Sequence, residues 1–212
     1  MVRPVNGVAP ERAAALGSAL RLEYLTLGWN VAEAAVGIAA GVVAGSTALV
    51  GFGGDSVVES LSGAILMWRL SVERHGSAAG RAESVERRAR RMVAVSMWVL
   101  AAYVLSQSIA GLLAGEAPAA SPVGIGLAVA SLATMWLLAR VKRARARDLH
   151  SHALEADAVQ TEICWQLSAL LLVGLGLNAA FGWWWADGVT AVGMAGLIAN
   201  EGRLAWRERD CC

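Results

Sequence analysis

An all-α, polytopic membrane fold of six transmembrane helices, with both termini cytoplasmic, is what the sequence predicts, and three observations predict it. The 212 residues are 57% hydrophobic and 17% charged, more apolar and less charged than an ordinary water-soluble domain. Six apolar blocks each reach the roughly 20 residues that a helix needs to cross a bilayer core. The 18 Lys and Arg residues gather between alternate blocks, as expected of loops on the cytoplasmic side of a membrane.

The chain divides into a cytoplasmic segment 1–23, a six-helix region 24–206 and a tail 207–212. The first block, Tyr24 to Val43, runs past signal-peptide length without a cleavage pattern and is a retained span. Its Gly37 and Gly41, followed by Gly45, bare one stripe of backbone for close approach by a neighbour, within the bundle or in a dimer. The second span covers Ser46 to Leu70, the third Met92 to Ala114, the fourth Pro122 to Val141, the fifth Ala153 to Leu177 and the sixth Trp184 to Trp206. Short links without Lys or Arg join spans one to two, three to four and five to six, and these face outward. The two longer links, SVERHGSAAGRAESVERRARR and KRARARDLHSH, are charged and face the cytoplasm. Trp183, Trp184 and Trp185 mark an outer interface, Trp68 and Trp206 inner ones.

Charges at bilayer depth cost about 2.5 to 3.5 kcal/mol on insertion scales, so the acids that remain there are candidates for function. Asp55 and Glu59 lie four positions apart on the second span and share a helix face that Ser62 continues. On the fifth span, Asp157, Gln160, Thr161, Cys164 and Ser168 fall on one side and Glu155 and Glu162 on another. Glu33 shares a face of the first span with Asn30 and Gly37. With a rise of about 1.5 Å per residue, Glu33, Glu59 and Cys164 each lie on the order of 16 Å from the inner ends of their helices. No Lys or Arg is expected at that depth to pair with them. Unpaired acids in hydrocarbon are neutralised or expelled, so a cation from outside the protein is their natural partner. Asp, Glu and Cys ligate when deprotonated; metal binding then releases protons and metal release readmits them, the linkage a proton/metal antiporter needs.

These residues resemble the cation diffusion facilitator family, metal/proton antiporters with six helices and a metal site between the second and fifth. STALVGFGGDSVVESLSGAILMWRL is similar to the family's second helix and LEADAVQTEICWQLSALLLVGLGLN to its fifth. The resemblance carries the metal site onto Asp55 and Glu59, and by position onto Gln160 and Cys164, where the family usually has His and Asp. An amide and a thiol in those places favour a softer ion, since thiolate suits zinc, cadmium, mercury(II) or copper(I). Asp157 or Glu33 would complete a four-coordinate site. The resemblance also implies a homodimer, held by transmembrane and loop contacts because this chain ends before the family's cytosolic C-terminal domain.

Weaker signals surround this core. Cys211 and Cys212 form a vicinal pair on the tail, reduced in a cytosol, that is suited to capturing a soft cation. His150 and His152 in the second charged link make a weak surface site beside basic residues better read as lipid anchors, as is the Arg87 to Arg91 cluster. Asp187 reads as a helix N-terminal acid or as a cation exit group. The three cysteines form no disulfide framework. No nucleophile, base and orienter recur together, Gly53-Gly54 lies inside an apolar span, and the basic clusters are topology rather than a nucleic-acid surface. The expectation is therefore a non-enzymatic metal cation exporter of the cytoplasmic membrane, without fixed cofactor, working by alternating access, with the lipid bilayer, a metal ion and protons as partners. Two other readings predict different behaviour: a metal-binding membrane subunit that binds without flux, and an exporter of small organic cations indifferent to Cys164→Ser.

Overall fold

The computed structural model describes residues 10–74, 79–149 and 152–207. Six helices account for nearly all of them: α1 Pro10–Ala44, α2 Thr47–Arg74, α3 Ala79–Ala114, α4 Pro122–Leu149, α5 His152–Phe181 and α6 Trp185–Arg207. No strand occurs among the described residues. Helices α1 to α5 are each long and apolar enough to cross a membrane. Helix α6 carries Asp187, Glu201 and Arg203 among its 23 residues, which interrupts its apolar run, although at about 1.5 Å per residue it is still roughly 35 Å long.

Every helix runs past its sequence-predicted span at one end or both. Arg, Ala and Glu are good helix formers, so both charged links are helical over most of their described length. Helix α4 continues past Val141 to Leu149, and α3 begins at Ala79. Helix α1 likewise starts at Pro10 and runs unbroken through the residues assigned to the N-terminal segment.

The three short links lie together at one end of the bundle. Ala119 N donates to Ala44 O at 2.8 Å, Asn178 Nδ2 to Pro118 O at 2.9 Å, and Ser46 Oγ to Asp187 Oδ1 at 2.5 Å. Each link starts at a glycine with positive φ: Gly45 at 67°, Gly115 at 68° and Gly182 at 67°. At Gly45 the helix closes by a Schellman pair, Ser46 N to Gly41 O at 2.9 Å and Gly45 N to Val42 O at 3.4 Å, a geometry that spares the orphaned carbonyls and favours a residue without Cβ.

Packing organises the bundle into three close pairs, α1 on α2, α4 on α5 and α3 on α6. The core between them is apolar, with Phe52, Met97, Met135, Leu167, Leu171 and Met194 fully or almost fully buried. The glycine stripe of α1 lies inside this packing. A Cβ on Gly37 would stand 3.2 Å from Gly53 Cα of α2, and one on Gly41 only 2.7 Å from Val50 N. At Gly37 and Gly41 the stripe is thus covered by α2 within one chain and is not available there as a dimer surface. Backbone contacts of this kind cannot relax by rotamer change, so Gly53→Ala, whose Cβ would meet Ile38 N at 2.7 Å, is expected to destabilise the protein by roughly 1 to 3 kcal/mol. Thermal unfolding in detergent checks this; an unchanged midpoint would show that α1 and α2 are free to separate.

Candidate metal centre

Helical periodicity places polar and acidic groups from three helices on the inner side of the bundle. Along α1 the buried stripe runs Glu23, Thr26, Asn30, Glu33, Gly37, the spacing of one helix face. On α2, Asp55, Ser56 and Glu59 are buried, and on α5, Thr161, Cys164 and Ser168. The faces expected from the sequence are therefore the faces that turn inward.

Glu33, Asp55, Glu59 and Cys164 come close enough for the charge of each acid to act on the others. Asp55 feels Glu33, Glu59 feels Asp55, then the opposite charge of Lys142, then Glu33, and the Cys164 thiol lies against Glu59. Ser56, Ser131 and Trp29 approach the Glu33 carboxylate, yet neither of its buried oxygens has a partner in hydrogen-bonding geometry. Asp55 Oδ1 and Glu59 Oε2 are likewise buried and unpartnered. Leaving such a group unsatisfied costs about 1 to 3 kcal/mol or more when charged, and several together are hard to account for as packing. As the side chains stand, no three His, Cys, Asp or Glu among the described residues are arranged to hold a metal ion. Coordination would require these neighbouring acids to turn toward a common point.

The two positions carried by resemblance alone differ in character. Cys164 is buried in the acid cluster, and Ser168 donates to Cys164 O at 2.9 Å, its Oγ lying 2.9 Å from the Ser131 hydroxyl. Gln160 is half-buried; its Oε1 accepts from Ser62 Oγ at 3.0 Å and its Nε2 is buried without a partner. The amide is thus tied to the α2 face that carries Asp55 and Glu59.

Asp157 departs from expectation. Lys142 of α4 is completely buried and lies 2.6 Å from Asp157 Oδ2 and 3.2 Å from Glu23 Oε2 of α1. A basic residue is therefore present in the bundle after all, and it engages Asp157 in a Glu23–Lys142–Asp157 triad rather than leaving that carboxylate for a metal. The physical reason is the continuation of α4: Lys142 reads as the first residue of a solvated link but stands on a helix that goes on for two more turns. Glu162, expected on another face, is paired with Arg143 of α4. Asp187 acts as a helix N-terminal acid, but for a different helix. With Ser46 it receives the start of α2, Ala48 N donating to Asp187 Oδ2 at 3.4 Å and Leu49 N to Ser46 Oγ at 3.1 Å.

Sequence reasoning passed over Glu201 of α6. It is 6% exposed, its Oε1 is buried without a partner, and the charges of Asp55 and Glu59 reach it. The signal that could have found it is its place on the stripe Asp187, Thr190, Met194, Ile198, Glu201, which has helical period and an acid at each end. Cys211, Cys212 and His150 lie outside the described residues, as do the side chains of His152 and of 87–90. Arg91 is described and sits 5.9 Å above the Trp206 ring.

The family model for the cation efflux transmembrane domain matches residues 24–208. A search of curated proteins returns no match.

Proposed function

The chain belongs to the cation efflux family and is a multi-pass membrane transporter of metal cations, and from that premise we propose that it exports a divalent or soft metal ion, zinc, cadmium or similar, across the cytoplasmic membrane in exchange for protons by alternating access. Asp55 and Glu59 coordinate the ion, Cys164 and Gln160 set its selectivity, and Glu33 supplies a further oxygen from α1. The observation that carries the reading is the set of buried, unpartnered carboxylate oxygens on Glu33, Asp55 and Glu59: an arriving cation satisfies them, and a departing one leaves them to be satisfied by protons. This is chemistry of binding and release, with no bond made or broken in a substrate. Assembly as a homodimer through exposed transmembrane faces belongs to the same proposal, as does capture of a soft ion by Cys211 and Cys212.

The test is flux of a metal panel into proteoliposomes that report both metal and pH, for the wild type and Cys164→Asp. Thiolate favours soft ions and carboxylate harder ones, so the variant is expected to shift preference from cadmium and mercury toward zinc and manganese, by on the order of tenfold in the flux ratio. Metal flux without counter-movement of protons would remove the coupling from the proposal. Metal binding without flux would favour a carrier subunit.

A further inference from the structure

Helix α6 contributes to the same centre, although neither the second nor the fifth helix contains the residue concerned. We infer that Glu201 is a ligand to the transported cation, making the centre one of donors from four helices, α1, α2, α5 and α6; the inference rests on the transport reading above and adds a residue to it.

The argument begins with the two acids at the ends of the buried α6 stripe. Asp187 is fully engaged, by Ser46 Oγ and by the start of α2. Glu201 has no such use: its Oε1 is buried without a partner, and the charges facing it are those of Asp55 and Glu59. An acid left over from structural duty near a helix end would ordinarily extend to the interface and be hydrated, whereas this one is more than nine-tenths buried. Its backbone is also fixed. Trp98 Nε1 of α3 donates to Ala199 O at 3.2 Å, and a Cβ on Gly202 would meet Trp98 Nε1 at 2.8 Å and Ala94 O at 3.1 Å. These contacts hold α6 against α3 at Ala199 and Gly202, on either side of Glu201, whose buried carboxylate lies within reach of the Asp55 and Glu59 charges. Of the charges that act on Asp55, Glu59 and Glu201 only that of Lys142, on Glu59, is positive; a cation among the three carboxylates offsets the remaining repulsion, and a donor set of carboxylates with the Cys164 thiol is mixed, suited to zinc as well as to softer ions.

The experiment uses the full-length protein, with zinc and cadmium binding by calorimetry in detergent and flux in proteoliposomes, for wild type, Glu201→Gln, Glu201→Asp and Asp55→Asn. Glu201→Gln is expected to weaken zinc binding and raise the KM for zinc flux by on the order of tenfold, with cadmium affected less. Glu201→Asp should fall between it and wild type, and it carries the test alone if the glutamine variant does not fold. Unchanged zinc affinity and unchanged zinc-to-cadmium ratio in these variants, with Asp55→Asn impaired, would overturn the role of Glu201 and leave the transport reading standing. Zinc binding that weakens in Glu201→Gln while the wild type shows no flux would support the ligand and sink the transport reading. A wild-type protein that binds neither metal would overturn both.

Discussion

Asp55→Asn combined with Glu59→Gln is expected to abolish metal-driven flux while leaving a folded protein that melts at a higher temperature than wild type. Each ionised donor contributes about 1.5 to 3 kcal/mol through charge-assisted contacts. Losing two therefore weakens binding by roughly two to four powers of ten. The stability effect has the opposite sign because the acids are buried with unpartnered oxygens. Neutral amides of the same shape remove charge repulsion with Glu33 and relieve part of the desolvation penalty, on the order of 1 to 3 kcal/mol per group. Groups kept for function at the expense of stability show this trade-off. Flux assays and thermal melts on the same preparation decide it: a variant that loses flux and also melts lower would point to a structural role for the pair.

Lys142→Met should be among the most destabilising single changes in the protein. The Lys142 side chain is buried and holds carboxylates of α1 and α5 at 3.2 and 2.6 Å, so its removal leaves Glu23 and Asp157 facing each other without a counter-charge between them. Breaking a buried pair from one side costs about 3 to 5 kcal/mol. Replacing all three together, Lys142→Met with Glu23→Gln and Asp157→Asn, should recover most of that loss, because no charge is then left behind. Thermal melts of the single and triple variants measure the difference. Equal destabilisation by both would mean that methionine simply packs badly against α1 and α5.

Much of this architecture was legible in the sequence, because bilayer length and charge segregation are local properties of a chain. The inward faces of α1, α2 and α5 followed from helical period, and Glu33, Asp55, Glu59 and Cys164 are buried on them. What local reading misses depends on packing. Lys142 looks like the start of a solvated link until α4 is seen to continue. Asp187 looks like a cap for its own helix, whereas tertiary packing turns it to α2. The glycines at 37 and 41 announce a close approach without saying whether the neighbour belongs to the same chain. Glu201 sits near the end of the last span, where a charge is ordinarily unremarkable, and only the packing of α6 shows that it is buried.

The pairing of helices has a mechanical consequence. If α1 with α2, α4 with α5, and α3 with α6 each behave as a stiff lever, then Glu33, Asp55 and Glu59 ride on the first, Gln160 and Cys164 on the second, and Glu201 on the third. On the proposed reading, a cation gripped by all three would work as a gauge of their mutual spacing, for one lever could not swing without stretching some bonds and loosening the grip. Affinity and posture are then a single variable, and the ion itself reports, by how tightly it is held, which way the bundle leans.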